Sequence, residues 1–176
     1  MVSLDEYAQV SEDATLHDAV LALDEAQASF HKDRYRHRAI LVYNAKKEVV
    51  GKLSQWDVIR SLEPKYREIE EFKTLSRFGL SPEFVKSMMK NFNLWQAPLG
   101  NICVKAAKLK VKDIMYSPAK REFVEENTTL EEAIHQLVVG HHQSLLVTRE
   151  KMQVVGILRL TDVFAEICTM IKACPT

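Results

Sequence analysis

With 176 residues and 47% apolar side chains, the chain can fill one compact core or two small ones, and its 24 basic and 24 acidic side chains leave no net charge to draw the whole surface to nucleic acid or membrane. No apolar run approaches the roughly 20 residues needed to cross a bilayer. The first residues, Asp5 and Glu6 among them, lack the basic and apolar regions of a secretory signal, so the cytoplasm is the expected compartment.

In chain order, Tyr7 to Val10 reads as a short strand. Thr15 then opens a helix, with Asp18 three residues on as a capping box, and Leu16, Ala19, Val20 and Leu23 fall on one face at helical spacing. Arg38 to Tyr43 and Glu48 to Leu53 read as strands joined by a hairpin loop at Asn44-Ala-Lys-Lys47, and Ser54 caps the helix that follows. Two helices are expected next: Lys65 to Arg77, and a run from Glu83 to Phe92 with Pro82 at its first position and Ser81 as cap. Phe84, Val85, Met88, Met89 and Phe92, followed by Leu94 and Trp95, give the second of these a wide apolar surface, expected to pack on the rest of the chain or on a second subunit. A basic segment, Lys105, Lys108, Lys110 and Lys112, leads into Val111-Lys-Asp-Ile-Met115. From Glu122 the plan of strand, helix, strand, strand and helix begins again. Thr129 and Glu132 form a second capping box, Leu130, Ala133, Ile134 and Leu137 a buried stripe, and Arg149-Glu-Lys151 a hairpin loop. A last helix carries Val163, Ile167 and Ile171 on one face and ends at Pro175. Cys103, Cys168 and Cys174 are odd in number and lack CxxC spacing, which disfavours a disulfide framework or structural zinc and reads as reduced thiols.

The second half therefore repeats the first. Gly51-Lys-Leu-Ser-Gln-Trp-Asp57 returns as Gly156-Ile-Leu-Arg-Leu-Thr-Asp162, each copy preceded by two valines. Arg38-Ala-Ile-Leu-Val42 falls opposite Gln143-Ser-Leu-Leu-Val147, and Val10 to Val20 opposite Val124 to Ile134, once the first copy is allowed nine extra residues before its central strand. Roughly 60 residues separate the copies, far more than an ordinary connection.

A Gly-apolar-apolar-Ser/Thr-x-x-Asp turn into a helix, after a strand, a helix and two strands and with a Val-x-Asp-Ile-Met lead-in, resembles the cystathionine β-synthase (CBS) domain, found in tandem as a Bateman module. The resemblance implies a mixed α/β (α+β) fold of two β-α-β-β-α repeats packed through their sheets with an inserted helical segment. Its boundaries fall at 1–62 for the first repeat, 63–110 for the insert and 111–176 for the second repeat. It also implies two clefts that bind adenine nucleotides (AMP, ADP or ATP). In each, the aspartate of the turn accepts hydrogen bonds from ribose hydroxyls, the Ser/Thr three residues before it approaches phosphate, and the opposite repeat reads the adenine edge. Carried onto this chain, the first cleft comprises Ser54 and Asp57 with Asp113, Ile114, Met115, Gln143, Ser144 and Leu145. The second comprises Asp162 with Val10, Arg38, Ala39 and Ile40. There Arg159 replaces the expected Ser/Thr and no Asp-Ile-Met lead-in precedes the first strand. An arginine in that place can clamp a phosphate bidentately or fill the cleft itself.

Plainer readings stand beside these. Asp57 and Asp162 suit the first turn of a helix on electrostatic grounds alone. The run His31, Lys32, Arg34, Arg36, His37 and Arg38 offers a meeting place for a phosphate tail, and a solvated loop is the plainer account for most of it, while Arg38 begins the strand that lines a cleft. His135, His141 and His142 have no carboxylate or cysteine at ligand spacing. The helices around Ser81-Pro82 carry only Lys86 and Lys90 on the second helix, too few for a groove-reading surface. No nucleophile, base and orienting group recur as a set and no phosphate-cradling glycine loop is present, which argues against an enzyme. A regulatory ligand-sensing module, needing no cofactor and taking an adenine nucleotide as its ligand, is the leading expectation. A homodimer is expected, with an unidentified protein partner as a further possibility and neither membrane nor nucleic acid as a partner. The alternatives are an interaction scaffold with vestigial clefts and partner-binding inserted helices, and a DNA-binding regulator.

Overall fold

The computed structural model describes residues 1–29, 35–67, 81–96, 99–150 and 153–174. Most of the expected helix Lys65 to Arg77, the loop residues His31, Lys32, Arg34 and Lys151, and Pro175 lie outside them.

Each capping signal starts a helix where it stands. Thr15 and Asp18 exchange hydrogen bonds ahead of α1 (Leu16–Ser29), Ser54 and Asp57 do so ahead of α2 (Gln55–Ser61), and Thr129 and Glu132 ahead of α6 (Leu130–Gly140). The first repeat forms a three-stranded sheet in the order β2 (Gln9–Ser11), β3 (Ala39–Tyr43), β4 (Val49–Ser54). The second forms a four-stranded sheet in which β1 (Val2–Ser3) pairs with β7 (Gln153–Arg159), followed by β6 (Ser144–Arg149) and β5 (Phe123–Glu125). Both sheets join a parallel outer strand to an antiparallel hairpin, and both interrupt the hairpin at the same place, between Val42 and Tyr43 and between Val147 and Thr148. A bulge recurring at equivalent positions is a property of the repeat, not a local accident.

Strand alternation decides which side chains meet. On β3, Ile40 and Val42 face Leu16 and Ala19 of α1 in the first core, whereas Leu41 faces the other way. There it joins Leu146 of β6 with Val2, Tyr7 and Ile157, so the two repeats pack through their sheets. The second core gathers Val124, Ala133, Leu137, Leu145, Val147 and Val163, the last from α7 (Leu160–Lys172).

Three expected stripe positions differ. Val20 is exposed, because the buried face of α1 runs through Leu16, Ala19, Leu23 and Ala26. Ile171 is exposed, because the core takes only Leu160, Val163 and Ile167 from α7 and its last turn passes beyond them. Leu130 is also exposed and lies outside the second core.

In the insert, Ser81 caps α3 (Pro82–Asn91) by accepting from the Phe84 amide. Met88 and Leu94 pack with Tyr66 and Trp95 in a separate small cluster. It is fastened by Trp95 Nε1 donating to Tyr66 Oη at 2.8 Å and by the Trp95 amide donating to buried Glu63 at 2.6 Å. Phe84, Val85, Met89 and Phe92 remain exposed within the chain, whereas Met88 and Leu94 are buried.

The lysine-rich segment is helical, as α4 (Ile102–Lys108) and α5 (Val111–Ile114). Ala106, Val111 and Ile114 enter the first core, although Ala106 belongs in sequence to the insert and the other two to the second repeat. The Leu16 amide donates to Leu109 O, that of Val111 to Ala14 O and that of Lys112 to Glu12 O, while Lys112 Nζ reaches the Asp13 carboxylate at 2.9 Å.

Candidate functional site

The turn from β4 into α2 sets Ser54 and Asp57 together. Asp57 Oδ2 accepts from the Ser54 amide at 3.0 Å and from Ser54 Oγ at 2.5 Å, and Ser54 Oγ accepts from the Asp57 amide at 3.2 Å. Both the plain and the ligand readings are open to this aspartate: it caps the helix with one oxygen, and Oδ1 takes no part in those bonds. The lead-in comes alongside, with Met115 Sδ and the Tyr116 carbonyl against Gly51, where any side chain would collide with them. Lys52 and Tyr116 exchange backbone hydrogen bonds at 2.9 Å in each direction.

The cluster beside Asp57 contains three residues that sequence reasoning missed. Lys52 Nζ meets Glu122 Oε2 at 2.6 Å, Tyr116 Oη donates to Glu122 Oε1 at 2.5 Å, and the Ala119 amide donates to the same oxygen at 3.1 Å. Glu122 is 2% exposed. Burial pushes its carboxyl up, but Lys52, Tyr116 and the Ala119 amide together outweigh that and hold it below the ordinary value. The hydrogen bond to Glu122 raises the Tyr116 phenol, with burial and the charges of Glu122 and Asp57 adding to it. At the equivalent places in the other copy stand Ile157 for Lys52, Val2 for Tyr116 and Ala8 for Glu122, all three apolar. That threefold contrast is the signal in the sequence that marks the cluster.

Around Asp162 the arrangement is different. Arg159, 4% exposed, turns its guanidinium onto the aspartate, Nε donating to Oδ2 at 2.6 Å and Nη2 to Oδ1. Nη1 donates to the Tyr35 carbonyl at 2.8 Å and lies 3.4 Å from His37 Nδ1. Both carboxylate oxygens are thus engaged by a bidentate internal cation, and Tyr35 and His37 bring the first repeat across to it. Tyr7 closes the network from the side, its ring edge-on to His37 with centroids 4.4 Å apart. Burial pushes the Tyr7 phenol up to about 12, against the nearby Arg159 charge.

The remaining expected residues divide into core and rim. Val10 and Ile40 lie in the first core with Ile114, and Leu145 in the second, so these four offer a cleft only backbone atoms. Gln143 is exposed and its carbonyl accepts from the Leu160 amide, while Ser144 pairs with Arg159 across the hairpin. Arg38 is the counterpart of Gln143, its carbonyl accepting from the Gln55 amide, and Ala39 pairs with Ser54. Asp113 is exposed beside half-buried Met115. Among the described residues no group of three His, Cys, Asp or Glu side chains is arranged to hold a metal, and no helix is long and apolar enough to cross a membrane.

Solved structures share this fold at low identity. The CBS domain of a CBS-domain-containing membrane protein from Sphaerobacter thermophilus is similar with a TM-score of 0.58 at 18% identity, over 94% of this chain and 87% of that one. CBSX2 in complex with AMP gives 0.56 at 18% identity, over 97% and 94%. The CBS domain of the bacterial CNNM/CorC family Mg2+ transporter in complex with ATP gives 0.58 at 17% identity, over 96% and 83%. No curated protein matches the chain at a significant level. The family described as CBS domain matches residues 3–64 and again residues 111–168, the same two segments that carry the bulged hairpins and the Gly-to-Asp turns. The chain therefore belongs to the CBS domain family, as a tandem pair of repeats.

Proposed function

We propose that the chain is a regulatory module that binds one adenine nucleotide, in the cleft built on Ser54 and Asp57. The observation that carries this reading is the contrast between the two aspartates: Asp162 has both oxygens engaged by Arg159, whereas Asp57 caps its helix through Oδ2 and has a serine hydroxyl three residues before it. A carboxylate oxygen accepts from ribose hydroxyls, and a helix N-terminus with a hydroxyl favours the phosphate. The complexes of CBSX2 with AMP and of the CNNM/CorC CBS domain with ATP support the ligand class. Titration calorimetry with AMP, ADP and ATP is the test. Wild type binds with a stoichiometry of one per chain, Asp57→Ala lowers affinity about ten- to a hundredfold, and Asp162→Ala has the smaller effect. No binding by wild type, or the larger loss in Asp162→Ala, rules the assignment out.

The module acts in this reading as a homodimer. Ile59 on α2 and Phe164 on α7 occupy equivalent places and are both exposed, as is Trp56 beside Ile59, so each repeat offers an apolar helix face. Sedimentation at micromolar concentration gives twice the chain mass, and an all-monomer profile contradicts it.

A further inference from the structure

The joint that seats a short segment against the strand leading into each Gly-to-Asp turn occurs twice. Lys52 of β4 pairs with Tyr116, and Ile157 of β7 pairs with Val2, antiparallel in both. Around Val2 and Ile157, with Ala8 in the place of Glu122, the joint is made of apolar side chains, all three fully buried. Apolar groups therefore suffice to build it. Around Lys52 and Tyr116 the same joint carries a buried ion pair, although apolar replacement of such a pair is often neutral or stabilising. The fold does not call for that pair.

What differs beside the two joints is the aspartate. Side chains two apart on a strand share a face, so Lys52 and Ser54 lie on one side of β4, and the charge of Asp57 reaches the Tyr116 phenol. The polar joint thus flanks the aspartate whose Oδ1 lies outside its helix cap, and the apolar joint flanks the aspartate closed off by Arg159. Glu122 grips three places at once: Lys52 Nζ at 2.6 Å, Tyr116 Oη at 2.5 Å and the Ala119 amide at 3.1 Å. Lys52 belongs to the first repeat and the others to the second, so the grip ties one repeat to the other beside Asp57.

We propose that Glu122 is a positioning residue for the nucleotide cleft, acting through Tyr116 and Lys52 to hold the lead-in beside Asp57 before the ligand arrives. The inference rests on the nucleotide reading above. A wall fixed in advance spares the ligand the cost of ordering it, so releasing the grip weakens binding without removing a ligand contact.

Calorimetry with AMP on the full chain, paired with urea titrations, is the test. Tyr116→Phe deletes only the hydroxyl through which Glu122 acts, and Glu122→Ala deletes the grip. Each is expected to lower affinity about tenfold. Glu122→Gln, whose side-chain carbonyl oxygen can still accept from Tyr116 and the Ala119 amide, should restore most of it. The triple variant Lys52→Ile, Tyr116→Val, Glu122→Ala carries the apolar joint of the second repeat. Its stability should return toward wild type while its affinity stays about tenfold down. A role confined to stability would instead make affinity follow the urea midpoint across the series. The inference is overturned by wild-type affinity in Tyr116→Phe or in the triple variant, or by a Glu122→Gln as weak as Glu122→Ala. Those results leave the nucleotide reading standing, whereas a wild type that does not bind AMP overturns both.

Discussion

Arg159 holds the position that Ser54 holds in the first repeat, and the difference between a guanidinium and a hydroxyl there separates the two clefts. Replacing it by threonine removes the bidentate pair with Asp162 and the bond to the Tyr35 carbonyl, and restores the Ser/Thr-x-x-Asp spacing that caps α2. The lost bonds to charged groups cost about 1.5–3 kcal/mol, and a new cap returns about 1 kcal/mol, so the expected net loss in a urea titration is about 0.5–2 kcal/mol. Calorimetry on Arg159→Thr should then show nucleotide stoichiometry rising from one toward two per chain. A stoichiometry that stays at one would mean that the arginine is not what closes this cleft. The departure itself was legible in the sequence, because the repeat supplied the expected residue. Its partners were not, since a backbone carbonyl at Tyr35 and a ring nitrogen at His37 approach from a loop whose path no periodicity encodes.

At the scale of elements, the lead-in around Tyr116 is held to β4 by a buried ion pair that the other copy replaces with apolar side chains. Removing one partner of such a pair leaves the other uncompensated, and Glu122→Ala is expected to cost about 3 kcal/mol. Apolar replacement of the whole group is often neutral or favourable. The triple variant Lys52→Ile, Tyr116→Val, Glu122→Ala copies Ile157, Val2 and Ala8, and should recover most of that loss in chemical denaturation. If the triple variant is no more stable than the single one, the cluster is coupled to its surroundings beyond these three side chains. The same carboxylate gives a pH signature. Its folded value lies below its ordinary 4.5, so its contribution is present above that pH and is lost as pH falls through the folded value. A urea midpoint followed from pH 7 to pH 3 should fall below about pH 4.5, and Glu122→Gln should flatten that part of the curve. Capping boxes and alternating strands made most elements readable, but α4 was not. Ile102-Cys-Val-Lys-Ala-Ala-Lys108 is short, basic and without a side-chain cap, and what fixes it is packing on α1.

Across the whole molecule, the boundary in sequence and the boundary in packing do not coincide. The resemblance carried by the repeat implied the sheet-to-sheet arrangement, and the structure builds it on Leu41 and Leu146, apolar on the face that their own helices do not cover. The burial of Val111 and Ile114 was not legible, because the resemblance set Ile114 beside the first repeat's cleft and nothing local says that either side chain enters a core. In the structure both are buried in the first core. A defect at Ile114 should therefore be felt in the repeat that precedes it. Ile114→Ala removes a buried side chain from among Leu16, Leu53 and Val111, and such truncations cost about 2–5 kcal/mol. Hydrogen exchange reads where the loss goes, since local opening follows the cooperative unit that is weakened. Amides of β3 and β4 should lose protection before those of β6 and β7, although residue 114 lies closer in sequence to the second pair. The reverse order, with residues 144–159 opening first, would place the lead-in energetically with the second repeat and contradict the packing seen here.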